Sequence, residues 1–296
     1  MNFKNLFKGS LVAIVTPFKN GKIDEKAFRK LIESQITNGT QGIVPCGTTG
    51  ESATLSHEEH DAVVEIVVDV CKGKASVLAG TGSNSTREAI RLTQQAQKAK
   101  ATGSLQITPY YNKPTQEGLY QHFAAVAKET DLPIILYNVP GRTSVNLLPQ
   151  TVGRLAKIKN IIGIKEASGS LSQISEVVDC CGPDFIVLSG DDALTLPVIA
   201  IGGKGVISVT ANVLPRKVAQ LCSLALSNRM EEARALHYEL LDINNDMFIE
   251  TNPIPVKTAL GLMGKISPEF RLPLSPISPD NLKRLKSTLR KYSLIS

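Results

Sequence analysis

The stretch Ile161-Ile162-Gly163-Ile164-Lys165-Glu166 is the sixth of a series of short apolar, β-rich runs along the chain. Turn residues bound these runs, and longer amphipathic stretches separate them, which is the pattern of alternating strands and helices. The eight runs predicted to be strands are Leu11–Thr16, Gly42–Cys46, Ser76–Gly80, Ser104–Thr108, Ile134–Asn138, Ile161–Lys165, Phe185–Ser189 and Gly205–Val209.

The stretches between the strands carry helix start signals. Asp24 precedes the first of them, and the spacings Ser56-x-x-Glu59 and Ser85-x-x-Glu88 predict capping boxes. Eight βα units with apolar strands predict an α/β fold, a closed parallel (β/α)8 TIM barrel over residues 1–225.

A doubly wound sheet is the alternative α/β fold, but its nucleotide-binding motifs fail here. The segment Gly80-x-Gly82-x-x-Ser85 lacks the third glycine of a dinucleotide-binding loop. The segment Gly202-Gly203-Lys204-Gly205 precedes a strand, whereas a phosphate-binding loop follows one.

The alternation of strands and helices ends after Val209, and only helical patterns follow. These are predicted at Arg216–Ser227, Met230–Ile249, Pro255–Met263 and Pro279–Tyr292. No linker-like composition separates them from the barrel. We therefore predict a small C-terminal helical extension, residues 226–296, packed on the barrel.

Composition limits the location and the partners of the protein. The apolar run Leu11–Val15 is too short for a signal peptide or a membrane span, and the odd number of scattered cysteines indicates reduced thiols. We therefore expect a cytoplasmic protein without a membrane anchor. The net charge of +6 comes without a basic stripe interleaved with aromatics, so no nucleic-acid partner is expected, and it suits anionic substrates equally well.

Lys165 ends an otherwise apolar strand and shares a face with Gly163, which leaves room beneath it. Burial disfavours the ammonium form of a lysine, and the neutral amine is a nucleophile that forms Schiff bases with carbonyls. Active sites of barrels lie at the carboxyl ends of the strands. Lys165 is therefore the candidate nucleophile, and a lysine that pairs with a carboxylate at the rim is the alternative.

Two further candidates follow the preceding strand, in Tyr137-Asn138-Val139-Pro140-Gly141-Arg142. Tyr137 is predicted at the same rim as Lys165, where a phenol can transfer protons. Arg142 follows a Pro-Gly turn, and its planar guanidinium matches a carboxylate. A packing tyrosine and a surface arginine are the alternatives.

Loops after the second and fourth strands also carry polar chemistry. Gly47-Thr48-Thr49-Gly50-Glu51-Ser52 offers backbone N–H groups and hydroxyls to a phosphate or a carboxylate, unless it is only a flexible turn. Tyr110 and Tyr111 stand side by side and could serve an interface or a proton relay.

His57 and His60 do not have the spacing of a metal site. The zinc proteases place two histidines four residues apart on one helix face, and these two are three apart without a supporting cysteine or third histidine. No metal is therefore expected, and two polar residues on a first helical turn are the plainer interpretation.

Taken together, these motifs resemble the dihydrodipicolinate synthase family of pyruvate-dependent class I aldolases. The resemblance runs from GSLVAIVTP at 9–17 to RLPL at 271–274, which is almost the whole chain. It is most specific in GTTGE at 47–51, YNVPGRT at 137–143, GIKE at 163–166 and SGDD at 189–192.

The resemblance implies a lyase of lysine and diaminopimelate biosynthesis that condenses pyruvate with L-aspartate 4-semialdehyde to 4-hydroxy-tetrahydrodipicolinate. Lys165 would hold pyruvate as an imine and then an enamine, and no cofactor or metal is implied. The implied catalytic residues are Lys165, Tyr137, Thr48 and Tyr111, with Tyr111 reaching the site of the neighbouring subunit. The implied substrate-binding residues are Thr49, Ile207, Arg142 and Gly190.

The family often carries an allosteric pocket for L-lysine at a tight dimer interface. The matching positions are Ser52, Ala53, His57, His60, Asn84, Glu88 and Tyr110. The resemblance therefore implies feedback inhibition by L-lysine and a homotetramer built as a dimer of tight dimers.

Two other functions stay open. An N-acetylneuraminate lyase or an aldolase of 2-keto-3-deoxy sugar acids would share Lys165 and Tyr137 and differ at Thr49, Arg142 and the tyrosine pair. A catalytically inactive barrel that binds a metabolite and regulates another process is the alternative from a different class.

Overall fold

The computed structural model describes residues 6–296, and its strands confirm the predicted barrel. In chain order they are β1 (Gly9–Ala13), β2 (Phe18–Lys19), β3 (Lys22–Ile23), β4 (Gly42–Val44), β5 (Ser76–Gly80), β6 (Gly103–Ile107), β7 (Ile134–Asn138), β8 (Ile161–Glu166), β9 (Ile186–Ser189) and β10 (Gly205–Ser208). β2 and β3 form a short antiparallel hairpin. The other eight are the predicted strands, and they close a parallel barrel because β1 pairs with both β4 and β10.

Helices connect these strands and continue after the last one. They are α1 (Glu25–Thr37), α2 (His57–Cys71), α3 (Thr86–Lys98), α4 (Gln116–Lys128), α5 (Pro140–Thr143), α6 (Pro149–Leu155), α7 (Leu171–Cys181), α8 (Thr195–Ala200), α9 (Pro215–Leu226), α10 (Met230–Asp246), α11 (Ile254–Leu262) and α12 (Pro279–Lys291). The four helices predicted after Val209 are therefore present. Within residues 6–296 no helix combines the length and the apolar character needed to cross a membrane.

Helix α9 packs against β1 in the manner of an eighth barrel helix. Helix α10 packs on α9, and α12 packs on α10 and α11. The division of the chain at residues 225 and 226 stays a prediction.

Two of the predicted helix starts have the expected hydrogen bonds. The Asp24 carboxylate accepts a hydrogen bond from the Ala27 N–H at 3.0 Å, which caps α1. At α2, the Ser56 hydroxyl accepts from the Glu59 N–H, and the Glu59 carboxylate accepts from the Ser56 N–H at 3.0 Å. The capping box predicted there is confirmed.

The capping box predicted at Ser85 is wrong, although α3 does begin directly after it. The Ser85 side chain forms no capping hydrogen bond. The carboxylate of Glu88 instead accepts hydrogen bonds from the Ser83 hydroxyl and the His57 ring. Glu88 therefore contacts His57 of helix α2 and does not take the capping position that the local pattern predicted for it.

The barrel interior is filled by inward-facing side chains from each of the eight barrel strands. It includes Leu11, Val44, Leu78, Leu105, Ile135, Tyr137, Ile162, Ile186, Leu188 and Ile207. A Cβ atom on Gly163 would lie 2.3 Å from the Ile186 carbonyl oxygen and 2.7 Å from Ile135 Cδ1. Only glycine fits there, because the backbone of β9 and a neighbouring side chain occupy the space beside β8.

Candidate active site

Lys165 lies at the carboxyl end of β8, directly opposite Tyr137 on β7. Its side chain is buried, and Nζ lies 4.2 Å from the centroid of the Tyr137 ring. The adjacent carboxylate of Glu166 accepts hydrogen bonds from Asn138 Nδ2 at 3.1 Å and from the Ser168 N–H at 2.7 Å. Within residues 6–296, Nζ forms no ion pair, so the carboxylate partner considered from the sequence is absent from the described part of the chain.

Gly190 and Ile207 lie on the side of Lys165 away from Tyr137. A Cβ atom on Gly190, which follows β9, would lie 2.6 Å from Ala167 Cβ and 3.1 Å from Lys165 Cε. The absence of a side chain at position 190 therefore leaves the space that the lysine stem uses. Ile207 lies in β10, and its side chain belongs to the barrel interior.

The loop that follows β4 is pinned at several points. The Gly47 carbonyl accepts hydrogen bonds from the Gly50 N–H at 3.0 Å and the Ser52 N–H at 3.3 Å. The Thr16 hydroxyl donates to the Gly50 carbonyl at 2.7 Å. Thr49 is buried within this loop, so the loop is a defined turn and not a flexible one.

Three residues of the C-terminal segment hold this loop from the other side, and we call Asn252, Lys257 and Arg271 the C-terminal clamp. Asn252 Nδ2 donates to Thr49 Oγ1 at 3.0 Å. Lys257 forms a buried ion pair with Glu51, and the Arg271 N–H donates to the same carboxylate at 3.2 Å. The clamp thus fixes the residues on both sides of Gly50.

The Lys257–Glu51 ion pair is fully shielded from solvent, with side-chain exposures of 0% and 1%. Desolvation lowers the pKa of Lys257, and the Glu51 carboxylate opposes that shift. The Phe18 ring contacts two side chains of the clamp, with its centroid 4.3 Å from Lys257 Nζ and 4.3 Å from Arg271 Cζ. A charge this deep requires its partner, because an unpaired buried ion is far more costly than an exposed one.

The clamp was not identified from the sequence. Lys257 interrupts the apolar stretch Ile254–Leu262, which is the same signal that drew attention to Lys165. Arg271 lies within the RLPL motif, which carried the resemblance without a role. Neither pattern predicts that Lys257 and Arg271 bind Glu51, because both residues are more than 200 positions away from it in the chain.

Arg142 lies on α5, where its side chain is exposed, and Nη2 donates to the Asn252 carbonyl at 3.4 Å. Arg142 borders a cavity of about 520 Å³ that Thr48, Tyr137 and Asn252 also line. The structure therefore brings the candidate proton-transfer groups and the candidate carboxylate-binding group to one cavity. Lys165 and Thr49 lie next to lining residues and do not form the lining themselves.

The same cavity extends along the wall that the sequence assigned to an effector. The lining there consists of Ser52, Ala53, His57, His60, Glu88 and Tyr110. Asn84, the seventh residue of that set, does not line it, and its carbonyl accepts a hydrogen bond from Asn112 Nδ2 at 2.9 Å. The two predicted sites are therefore continuous within one subunit.

The two histidines make different contacts. His57 Nε2 lies 2.9 Å from Glu88 Oε1, and the hydrogen bonds from Ser83 and His57 lower the pKa of Glu88. His60 Nε2 lies 2.8 Å from the Gly80 carbonyl oxygen, and burial lowers the pKa of His60. Across residues 6–296, no three histidine, cysteine, aspartate or glutamate side chains converge in an arrangement that could hold a metal ion.

The two adjacent tyrosines, Tyr110 and Tyr111, have different surroundings. Tyr110 borders the cavity, whereas Tyr111 has a φ of 71°, is 89% exposed and does not border the cavity of its own chain. The Asn112 N–H donates to the Tyr110 carbonyl at 2.9 Å, which tightens this turn. The structure therefore presents Tyr111 outward and does not bring it to the site of its own subunit.

Asp192 is a further buried residue near the site, and no role was predicted for it from the sequence. Its carboxylate accepts hydrogen bonds from the Val209 N–H at 2.8 Å, the Thr210 N–H at 3.2 Å and the Ser208 hydroxyl. Burial raises the pKa of Asp192. These contacts fix the end of β10 directly after Ile207.

The chain forms a closed (β/α)8 barrel, and a buried lysine lies at the carboxyl end of one strand beside a tyrosine and near an arginine. These are the features of a (β/α)8-barrel enzyme with its active site at the carboxyl ends of the strands. The profile of the dihydrodipicolinate synthetase family matches residues 6–292, and the chain belongs to that family. It is an enzyme of the lyase class, as the names of its close relatives indicate.

Three known proteins illustrate the similarity. The 4-hydroxy-tetrahydrodipicolinate synthase of Geotalea uraniireducens (strain Rf4) is 60% identical over 98% of this chain and 100% of its own. The dihydrodipicolinate synthase of Acinetobacter baumannii, solved in complex with pyruvate, has a TM-score of 0.96 at 46% identity, over 97% of this chain and 99% of its own. The enzyme of Cyanidioschyzon merolae, solved with lysine bound, has a TM-score of 0.95 at 40% identity, over 98% and 99%.

Proposed function

We propose that the protein condenses pyruvate with L-aspartate 4-semialdehyde to give 4-hydroxy-tetrahydrodipicolinate, in lysine and diaminopimelate biosynthesis. The observation that carries the proposal is the buried Lys165 amine, which lies against the Tyr137 ring without an ion-pair partner in the described chain. Membership of the family and the pyruvate complex of the Acinetobacter baumannii relative support it.

The reaction begins with attack of the Lys165 amine on the keto carbon of pyruvate. The carbinolamine loses water to form an imine, and loss of a methyl proton converts the imine into an enamine. The enamine carbon then attacks the aldehyde carbon, and the resulting alkoxide takes up a proton. The amine of the second substrate finally attacks the imine carbon, which closes the ring and releases Lys165. The lysine imine acts as the electron sink.

Tyr137 is the group positioned to transfer these protons, because its ring lies against Lys165 while its side chain borders the cavity. Thr48 borders the same cavity and would relay protons to Tyr137. Thr49 and the backbone at Ile207 would bind the carboxylate of pyruvate, and Gly190 keeps the space beside Lys165 free. Arg142 would bind the carboxylate of the semialdehyde.

Reductive trapping tests the proposal directly. Borohydride added with pyruvate reduces the imine to a stable secondary amine, so peptide mapping should find one pyruvate-derived adduct on Lys165. The Lys165→Ala variant should show no adduct and lose at least about 10³-fold in kcat. A wild-type protein without the adduct would favour an inactive regulatory barrel. Turnover of N-acetylneuraminate or a 2-keto-3-deoxy sugar acid, with none of the semialdehyde, would instead favour the sugar-acid aldolases.

We further propose that L-lysine inhibits the enzyme by binding in the part of the cavity that is lined by Ser52, Ala53, His57, His60, Glu88 and Tyr110. The support is the lysine-bound relative from Cyanidioschyzon merolae and the arrangement of Glu88 and His57, whose polar groups meet at that wall. A carboxylate such as Glu88 suits an ammonium group. Saturating L-lysine should lower the initial rate of the wild type and lose most of its effect on Glu88→Gln. An unchanged wild-type rate would contradict the proposal.

We propose that Tyr111 completes the site of the partner subunit in a tight dimer, two of which form a tetramer. Its 89% exposure and its position outside its own cavity support this arrangement. Mixing and reassembling inactive Lys165→Ala with inactive Tyr111→Phe should restore about a quarter of wild-type activity, because half the dimers then contain one complete site. No restoration would show that Tyr111 acts within its own subunit or not at all.

A further inference from the structure

Asn252 is a buried residue that contacts both candidate substrate-binding side chains. Its side-chain Nδ2 donates to Thr49 Oγ1 at 3.0 Å, and its main-chain carbonyl accepts from Arg142 Nη2 at 3.4 Å. It also borders the cavity. Its Oδ1 is buried and has no hydrogen-bond partner within residues 6–296, so the bond to Thr49 is the one that fixes the amide.

The direction of this hydrogen bond decides what Thr49 can do. A threonine hydroxyl carries one proton and two lone pairs, and the lone pair that accepts from Nδ2 leaves the proton free to be donated elsewhere. No other hydrogen bond of the Thr49 hydroxyl occurs in the described part of the chain. The Asn252 amide therefore converts Thr49 Oγ1 into a directed donor, which is what an anionic ligand requires.

We propose that Asn252 is a positioning residue that orients the Thr49 hydroxyl proton toward the carboxylate of the keto acid. The inference rests on the proposed function, in which Thr49 binds pyruvate. The side chain of Asn252 acts at the keto-acid end, and its main chain acts at the Arg142 end. Substitution of the side chain removes the first contact and keeps the second.

This separation predicts an asymmetric kinetic effect. Asn252→Ala should raise the KM for pyruvate about tenfold, which is the loss expected for one hydrogen bond to a charged ligand, and change the KM for the semialdehyde less than about twofold. Asn252→Asp keeps the shape but reverses the bond, because the carboxylate accepts the Thr49 proton and repels the substrate anion. It should raise the KM for pyruvate by about a hundredfold.

A double-mutant cycle with Thr49→Val tests whether Asn252 acts through Thr49. In the Thr49→Val background, Asn252→Ala should raise the KM for pyruvate less than about twofold further, because the hydroxyl it orients is gone. If Asn252 had only a structural role, its substitution would lower kcat or the melting temperature and would not affect the KM for pyruvate selectively. The melting temperatures of the single variants, measured by circular dichroism, control for that role.

Two results would overturn the inference. The first is an unchanged KM for pyruvate in both Asn252→Ala and the nearly isosteric Asn252→Asp. The second is a full multiplication of the two single effects in the double variant. Borohydride trapping of the wild type separates these results from a failure of the proposed function: a trapped wild type with either result rejects the role of Asn252 alone, whereas an untrapped wild type rejects pyruvate as substrate.

Discussion

At the scale of single residues, the proposed function asks two things of the Tyr137 side chain, a contact with Lys165 and proton transfer. Its ring lies 4.2 Å from Lys165 Nζ, and the residue also borders the cavity. An aromatic face packs against the amine without exchanging a proton with it, so the contact positions Lys165 without forming an ion pair. The hydroxyl remains available for the substrate.

Replacing Tyr137 by phenylalanine separates these two roles. The ring and its contact with Lys165 are kept, whereas the proton-transfer group is lost. We expect kcat to fall by about 10²–10⁴-fold while borohydride still traps pyruvate on Lys165, only more slowly. Steady-state kinetics and intact mass measured on the same preparation check this. Wild-type turnover by Tyr137→Phe would show that another group transfers the proton.

The sequence was sufficient to predict site residues whose position follows from the order and periodicity of the strands. It was not sufficient to predict those that are positioned by contacts with distant parts of the chain. Lys165 and Tyr137 end adjacent strands, so the architecture of the barrel places them together. Asn252 contacts Thr49 across 203 positions of the chain. No local pattern encodes such a contact, since it depends on how the C-terminal segment folds over the barrel.

At the scale of elements, β8 depends on the glycine at its centre. A methyl group on Gly163 would meet the Ile186 carbonyl oxygen at 2.3 Å, and a backbone atom cannot move aside easily. We expect Gly163→Ala to lower the free energy of unfolding by about 1–3 kcal/mol or more, measured by urea titration. Gly141→Ala is the matched control, because nothing lies within 4 Å of its Cβ position. Equal stability of the two variants would contradict this account.

The start of α2 is stabilised by an interaction from outside the helix. Arg271 donates two hydrogen bonds of 2.6 Å to the Glu59 carboxylate, and they lower the pKa of Glu59 from its ordinary value of 4.5. A lowered pKa means that the folded state favours the ionised form. The resulting stability is present above pH 4.5 and is lost as the pH falls through the lowered pKa of the folded protein.

The Glu59→Gln variant tests this sign. Glutamine can keep the capping box at Ser56 but loses the charge that Arg271 pairs with. We expect the variant to be about 1 kcal/mol less stable at pH 7 and the difference from wild type to shrink as the pH falls below 4.5. Urea titrations at pH 7 and near pH 3.5 measure it. A difference that grows toward acid would mean that the carboxylate is not stabilised by folding.

Helix ends show where local patterns are reliable. Asp24 and Ser56 are used as caps, and Glu59 keeps its hydrogen bond from the Ser56 N–H even though Arg271 also binds its carboxylate. At Ser85 the same spacing fails, because Glu88 is drawn to His57 on α2. The pattern describes what a helix can do alone, and tertiary contacts decide what it does.

At the scale of the whole molecule, the Lys257–Glu51 pair joins helix α11 to the loop that follows β4. Lys257→Met leaves the Glu51 carboxylate buried without its cation, and we expect a loss of about 3–5 kcal/mol in the free energy of unfolding. Adding Glu51→Gln removes the stranded charge, so the double variant should be the more stable of the two. Urea titration of both measures it, and a double variant no more stable than Lys257→Met would show that the charge is not the cause.

The barrel itself was predictable because its signal is repeated eight times, and each strand supports the assignment of the others. The exact ends were less predictable. The first strand was expected to reach Thr16 and ends at Ala13, after which the chain turns into the hairpin of β2 and β3. The Thr16 hydroxyl serves the Gly50 carbonyl there, in a contact that strand propensity does not encode.

The C-terminal clamp has a consequence for how the protein is made. The ribosome delivers the chain from its first residue onward, so β1 emerges long before β10, the strand that closes the barrel beside it. Asn252, Lys257 and Arg271 emerge later still. All eight barrel strands can therefore have emerged while the loop carrying Thr48 and Thr49 still lacks its contacts with the clamp. An interrupted translation product would lack these contacts and also the C-terminal side chains that pack into the core with β1 and β4, such as Val256 and Leu260.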